Sequence, residues 1–274
     1  MLIADSQVHI WAPNTPERPW RPGQNVHREI PLEAEEVLRE MNAAGVERCV
    51  LVPPSLDADR NDLSLAAARV HPSRFAVMGR LDPDAPGARE ESSGWRKQPG
   101  MLGLRYSMNR PQWIPILQEK RLEWLWEEAE KAHVPVMALI THPMTPLIDD
   151  LAQRHPNLRL VMDHLGLDAS KRDEEAFRDL DLFLTLAKRP NVAVKVSALP
   201  CYTNDAYPYR RLHPYIKRVY DAFGPRRMFW GTDYSRLPCS YSEAVAMFTE
   251  HMPWLDAEDL EWIMGRGLCE WLDW

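Results

Sequence analysis

His155-Pro156-Asn157-Leu158-Arg159-Leu160-Val161-Met162-Asp163-His164-Leu165-Gly166 carries one structural transition followed by one chemical signal. The histidine ends an amphipathic pattern over 146–155, where a cation suits the carbonyl end of a helix, and the proline after it cannot continue that helix. An apolar run follows, rich in the residues that fill buried strands, and it ends on an adjacent Asp and His. The same punctuation stands at His71-Pro72-Ser73 and Arg189-Pro190-Asn191, each before another apolar run. Helix, stop and buried strand in tandem are the mark of βα units on a parallel sheet.

Working outward from these junctions, eight strand-like runs are predicted at 2–9, 48–52, 75–81, 101–106, 134–140, 158–164, 192–197 and 228–233. Helical patterns separate most of them, at 32–44, 62–71, 121–133, 146–155, 174–188, 214–223 and 242–251, with an extra C-terminal helix at 257–272. The crossover at 82–100 is rich in Pro, Gly and charge, so a loop or short irregular helix is expected there. A doubly wound open sheet could hold such units. Eight strands in 274 residues, with no Gly-rich phosphate loop after the first, favour closure into an α/β (β/α)8 TIM barrel forming one domain over 1–274. Two connections are long: residues 12–31 after strand one, with Pro13, Pro16, Pro19, Pro22 and Pro31, and residues 200–212 after strand seven. Both fall on the carboxyl face, where long loops are usually functional.

Composition narrows the partners. A hydrophobic content of 45% suffices for one large core, and a formal net charge of −7 with no basic run argues against a general nucleic-acid binder. A small molecule, anionic or polyhydroxylated, is the expected partner, and self-association stays open. Cys49, Cys201, Cys239 and Cys269 are scattered without a C-x-x-C pair, which disfavours a thiolate zinc site or disulfide framework. No apolar run approaches a membrane span, and Met1-Leu2-Ile3-Ala4-Asp5 has no leader pattern, so a cytoplasmic location is expected.

The carboxyl ends of barrel strands face the active site, and here they read His9, Arg105, His142, His164, Lys195 and Asp233. Imidazole and carboxylate serve equally as general bases and as ligands for zinc or manganese. Trp11 shares a face with His9 and cannot be a ligand, so it is expected against substrate. Asp163 reads as an orienting group for a neighbour. Asp233 ends an apolar run, and Ser240 and Ser242 lie nearer the next helix start, which disfavours a capping role for it. Lys195 in a buried strand is expensive unless it faces the polar mouth, where it could hold an anionic substrate or a carboxylate; a structural lysine is the alternative. Arg105 offers a planar fork for a carboxylate. His142 falls just past its strand and could be ligand, substrate contact or loop residue. His71 and His155 read as helix terminators on the opposite face. The arginines within 17–28 and at Arg210 and Arg211 hint at an anionic ligand.

Asp5-Ser6-Gln7-Val8-His9-Ile10-Trp11, Met162-Asp163-His164-Leu165-Gly166, Val194-Lys195-Val196-Ser197-Ala198-Leu199 and Trp230-Gly231-Thr232-Asp233-Tyr234 together resemble the amidohydrolase-2 family of the amidohydrolase superfamily. The match runs in order along almost the whole chain and looks most like the branch of sugar lactonases and 2-pyrone-4,6-dicarboxylate lactonases. The resemblance implies a hydrolase that opens a lactone with Asp233 as general base and His9 and His164 as partners. It also implies one divalent ion on His9, His164 and Asp233, or catalysis without metal, because metal-dependent members carry His-x-His on strand one whereas this chain has His9-Ile10-Trp11. Related barrels decarboxylate aromatic or unsaturated acids, which is the second reading; a barrel that only binds a small acid is the third.

Overall fold

The computed structural model describes residues 1–24 and 26–274. All eight apolar runs form strands: β1 (Ala4–Val8), β2 (Arg48–Leu51), β3 (Phe75–Gly79), β4 (Met101–Ser107), β5 (Val136–Leu139), β6 (Leu160–Met162), β7 (Val192–Ser197) and β8 (Met228–Gly231). They pair in parallel and in chain order, as expected for a (β/α)8 barrel. Between β8 and β1 the seam is joined by Asp233 N–H donating to the Gln7 carbonyl at 2.9 Å and Thr232 N–H donating to Asp5 Oδ1 at 3.0 Å. Gly231 permits this approach, since a Cβ there would stand 2.3 Å from Ser6 Oγ.

Apolar side chains fill two layers. Ala4, Val50, Val52, Ala76, Met78, Leu102, Met137, Val161, Ala193 and Phe229 meet inside the barrel, whereas Val8, Leu51, Val77, Leu104 and Val194 pack outward against the helices. Strict alternation would give Ala4 and Val8 the same face, and Leu102 and Leu104 likewise. They face opposite ways because the register shifts between Asp5 and Val8 on β1, and between the Val77–Met101 and Met78–Gly103 pairs where β3 meets β4. A bulge exchanges the two faces downstream of it. The consequence is chemical, because His9 and Arg105 lie beyond a shift and Gln7 lies within one.

The C-terminal segment crosses the amino-terminal mouth, where Leu268, Cys269 and Leu272 join the inner cluster. Arg48 and Arg159, at the starts of β2 and β6, donate to the Trp274 and Trp271 carbonyls. The expected single helix over 257–272 is interrupted: Ala257–Glu261 and Gly267–Leu272 flank a π-turn at Trp262–Arg266. The expected helix over 174–188 also breaks, into Asp173–Ala176, Leu180–Leu184 and a 3₁₀ turn at Thr185–Lys188. Its buried residues Phe177, Leu180, Phe183 and Leu186 recur every third position, which suits tighter turns than 3.6-residue periodicity. The 82–100 crossover holds a short helix, Ala88–Ser93, and an unanticipated helix at Trp113–Gln118 is disguised by Pro111 and Pro115. His71 and His155 do sit at helix C-caps, and Ser240 caps Tyr241–Thr249 through a reciprocal capping box with Glu243.

Candidate active site

Through its register shift, β1 aims Gln7 and His9 at the carboxyl-end cavity, where β6 delivers His164 and β8 delivers Asp233. The cavity measures about 230 Å³, and its lining includes these four residues with Trp11, His27, Ser107 and Arg236. Non-glycine residues in the left-handed region gather at the same strand ends: His164 at φ 50°, Leu165 at 55°, Ala198 at 55° and Asp233 at 50°. Such backbone costs roughly 1–3 kcal/mol per residue and is concentrated where side chains must be aimed.

Each imidazole is held from behind. His9 Nδ1–H donates to the Val52 carbonyl at 2.6 Å, which fixes the tautomer and turns Nε2 toward Asp233 Oδ1 at 3.2 Å. His164 Nδ1 meets the Ser197 hydroxyl at 2.8 Å, and its Nε2 lies 3.6 Å from Asp233 Oδ2. Between the two rings stands the Gln7 side chain, its Nε2 at 3.4 Å from His9 Nε2 and 3.3 Å from His164 Nε2. Lys195 donates to Gln7 Oε1 at 2.8 Å, and an ammonium can only donate, so the amide must present its NH₂ to the imidazoles.

The charges are arranged in two tiers. In the upper tier, burial pushes the Asp233 carboxyl up, but His9, His164 and Arg236 outweigh it and hold it well below the usual carboxylate range. Arg236 reaches Asp233 Oδ2 at 3.3 Å. Burial lowers His164 to about 4 despite the attraction of Asp233 and Asp163, so this ring is neutral near pH 7. In the lower tier, Asp163 accepts from Arg105 Nε at 3.0 Å and pairs with Lys195 Nζ at 2.8 Å, all three side chains being buried. Burial raises the Asp163 carboxyl, yet these two cations keep it ionised.

Of the residues expected at the site, His9, His164, Asp233, Arg105 and Trp11 line the cavity. Lys195 does not; it lies beneath the floor as the support of Gln7 and Asp163, because β7 turns it into the barrel below the mouth. His142 is also outside the lining: its Nε2 meets the Leu165 carbonyl at 3.0 Å and its ring packs 5.4 Å from that of Phe183, so local backbone and aromatic contacts satisfy it. The arginines of the first long loop turn elsewhere, Arg18 to Asp57 and Asp62 and Arg28 to Glu36. Sequence reasoning missed Gln7, Ser197, Arg236 and His27. Gln7 was within reach, being two residues before His9 on the same face. His27 was not, because only the folded 12–31 loop brings its ring 6.1 Å from that of His9, where it meets the Ser235 hydroxyl at 2.8 Å.

The position of Gln7 also revises the reading of strand one. The companion that a His-x-His pair would supply on the inward face is position 7, not 11. Two imidazole nitrogens and a carboxylate suit one divalent cation in kind, and Asp233 Oδ1 has no hydrogen-bond partner among the described residues, which matches a centre that needs a further positive group. The donors are not gathered as a ready cage, for no set of three His, Cys, Asp or Glu side chains is so arranged among the described residues. The Gln7 amide occupies the space between the rings.

A family model described as amidohydrolase matches residues 4–266. The chain is 27% identical over 267 residues to an L-fucono-1,5-lactonase of Burkholderia ambifaria, covering 92% of this chain and 84% of that protein. It is 24% identical over 242 residues to a 4-sulfomuconolactone hydrolase of Hydrogenophaga intermedia, covering 84% and 73%. Among solved structures, an amidohydrolase from Burkholderia multivorans with bound zinc superposes with a TM-score of 0.85 at 21% identity, over 100% of this chain and 99% of the other. A 2,6-dihydroxybenzoate decarboxylase shares the fold at a TM-score of 0.68 and 16% identity, over 99% and 98%. No helix among the described residues is long and apolar enough to cross a membrane. With the barrel, the strand-end residues and a family match over nearly its full length, the chain belongs to the amidohydrolase family of hydrolases.

Proposed function

We propose that this hydrolase opens a lactone, and the observation that carries the reading is the buried Asp233 carboxylate facing His9, His164 and Gln7 at the cavity floor. Asp233 takes a proton from water as the oxygen attacks the lactone carbonyl. The Gln7 NH₂, oriented by the two imidazoles that accept from it, stands where the developing oxyanion needs a donor, and such a preorganised group lowers the barrier because it needs no reorganisation. When the ester bond breaks, the ring oxygen leaves as an alkoxide and recovers the proton from Asp233, giving the hydroxy acid. The lactonase and lactone hydrolase among the relatives support this substrate class.

His9, His164 and Asp233 would hold a single ion, zinc or manganese. When bound, such an ion supplies Lewis-acid polarisation and a more acidic water. The four cysteines are free, which supports a reducing, cytoplasmic setting.

The test is ring opening, followed by pH indicator on neutral sugar lactones and carboxylated lactones, with protein stripped by chelator and then resupplied with zinc or manganese. Turnover restored only by metal assigns the three residues as ligands; equal turnover after stripping assigns them as direct acid-base and oxyanion groups. Release of carbon dioxide from an unsaturated or aromatic acid without ring opening would replace the reading with decarboxylation, and binding without turnover would reduce the barrel to a small-acid receptor.

A further inference from the structure

Arg80 follows β3 on the inward face that Ala76 and Met78 begin, and it is buried without an ion-pair partner among the described residues. Its place is set rigidly: Asn61 accepts from its backbone N–H and donates to its carbonyl, both at 2.8 Å, while its Nε donates to the Pro53 carbonyl at 2.7 Å. Its Nη2 reaches Ser55 Oγ at 3.0 Å and Ser107 Oγ at 3.5 Å, and Arg105 Nη1 donates to the same Ser107 oxygen at 2.6 Å. Two guanidinium groups thus converge on two hydroxyls that are themselves 3.3 Å apart.

The local charge does not balance. Arg80, Arg105 and Lys195 are three buried cations, and the buried carboxylate among them is Asp163, already shared by Arg105 and Lys195. Asp59, Asp82 and Asp84 line an adjoining cavity together with Arg80, Arg21, Arg110 and Arg121, and Asp59 is paired with Arg21 at 3.2 Å. Burial, reinforced by the neighbouring Arg105, pushes the Arg80 guanidinium down to about 9, with Asp59 only partly opposing it. A buried cation without a counter-charge is costly unless a ligand supplies one.

Hydrogen-bond capacity points the same way. Guanidinium groups only donate, so both serine oxygens act as acceptors; one serine O–H can satisfy the other, and the second proton has no acceptor within the group. Ser55, Ser107 and Arg110 line both the main cavity and the adjoining one of about 380 Å³, while Arg105 lines the first and Arg80 the second, so the donor cluster bridges the two.

We propose that Arg80, Arg105, Ser55 and Ser107 form a subsite for an oxyanion substituent, carboxylate or sulfonate, carried by the lactone. This rests on the lactonase reading and narrows it: the ring opened at Asp233 is that of an anionic lactone rather than a neutral sugar lactone. Arg105 joins the floor to the subsite, since its Nε holds Asp163 while its Nη1 faces Ser107.

The experiment compares kcat/KM for a neutral, a carboxylated and a sulfonated lactone in the native protein and in Arg80→Met and Arg80→Lys, with succinate as an inhibitor and thermal-shift probe. The native protein is expected to favour one anionic class, which identifies the substituent. Arg80→Met should reduce the anionic-to-neutral ratio about 10–100-fold, chiefly through KM, as expected for loss of charge-assisted hydrogen bonds; Arg80→Lys, which keeps charge without the fork, should fall between. If Arg80→Met does not fold, Ser107→Ala supplies the same ratio with both guanidiniums retained. Equal or better use of the neutral lactone by the native protein, or an unchanged ratio in the variants, overturns the subsite. Succinate binding that depends on Arg80 in a protein opening no lactone keeps the subsite and refutes the lactonase reading instead.

Discussion

The two mouths of the barrel are built from the same strands on opposite principles. At the amino-terminal mouth, Ala4, Val50, Ala76 and Ala193 meet Leu268 and Leu272 of the C-terminal segment, and the plug is apolar. At the carboxyl mouth, Asp163, Lys195, Arg105, His164 and Asp233 are buried together, with four non-glycine residues in the left-handed region. One end stabilises by removing surface from water; the other holds groups whose burial is costly in an arrangement that only mutual pairing sustains. Stability and chemistry are therefore separable by position, and substitutions at the two mouths should split them.

The largest effect is expected from Asp233→Asn. It removes the proton acceptor while keeping the shape, so kcat should fall about 10²–10⁴-fold or more in the ring-opening assay. Full activity in this variant would remove Asp233 from the mechanism. Next comes Lys195→Met, which strips the floor of its support. Breaking a buried pair by deleting one partner costs about 3–5 kcal/mol, to be read by denaturant unfolding. Unchanged stability with a raised KM would instead make Lys195 a substrate contact. At the opposite mouth, Leu268→Ala should cost about 2–5 kcal/mol of stability with kcat/KM unaltered; a parallel loss of activity would show that the plug and the site are coupled.

The smallest effect is a pH dependence at the seam. Asp5 accepts from Thr232, Gln7 and Tyr241, yet burial outweighs these bonds and raises it from 3.8 to about 6. In the folded chain its proton is retained to higher pH than in the unfolded chain. Its contribution is therefore fully present below about pH 4 and is lost as pH rises through 6. Comparing the pH profile of denaturant stability with that of Asp5→Asn should show a difference changing by up to about 3 kcal/mol across this window, from the linkage of about 1.4 kcal/mol per unit. A flat difference would mean that the hydrogen bonds hold Asp5 ionised throughout.

Legibility differed between the mouths for a physical reason. The helix-stopping pairs His71-Pro72 and His155-Pro156 act locally, so they announced the turns at the amino-terminal face and, through them, the number of βα units. At the carboxyl face His9, His164, Arg105 and Asp233 were readable because polar residues ending buried strands have few other roles. Arg80 was equally exposed to that logic, since it continues the alternation of Ala76 and Met78 within the predicted run 75–81, but a lone arginine near a strand end looks like an ordinary solvated residue until its burial is known. His142, left open as ligand, substrate contact or loop residue, meets the Leu165 carbonyl and the Phe183 ring, contacts that its position in the sequence does not announce.

What the sequence alone determined was the periodic part: eight strands, their order, the family and the residue types at most strand ends, all encoded in local apolar spacing and short motifs. Only the tertiary structure decided which of those residues meet. The register shifts in β1 and at the β3–β4 pairing invert side-chain parity and turn Gln7, His9 and Arg105 inward, and closure of the barrel then sets Gln7 between the imidazoles. Burial then decided which cations are neutralised, leaving Arg18 to Asp57 and Asp62, Arg28 to Glu36 and Arg80 with no carboxylate partner among the described residues. Such outcomes depend on partners distant in the chain, and a one-residue slip in pairing is enough to change them.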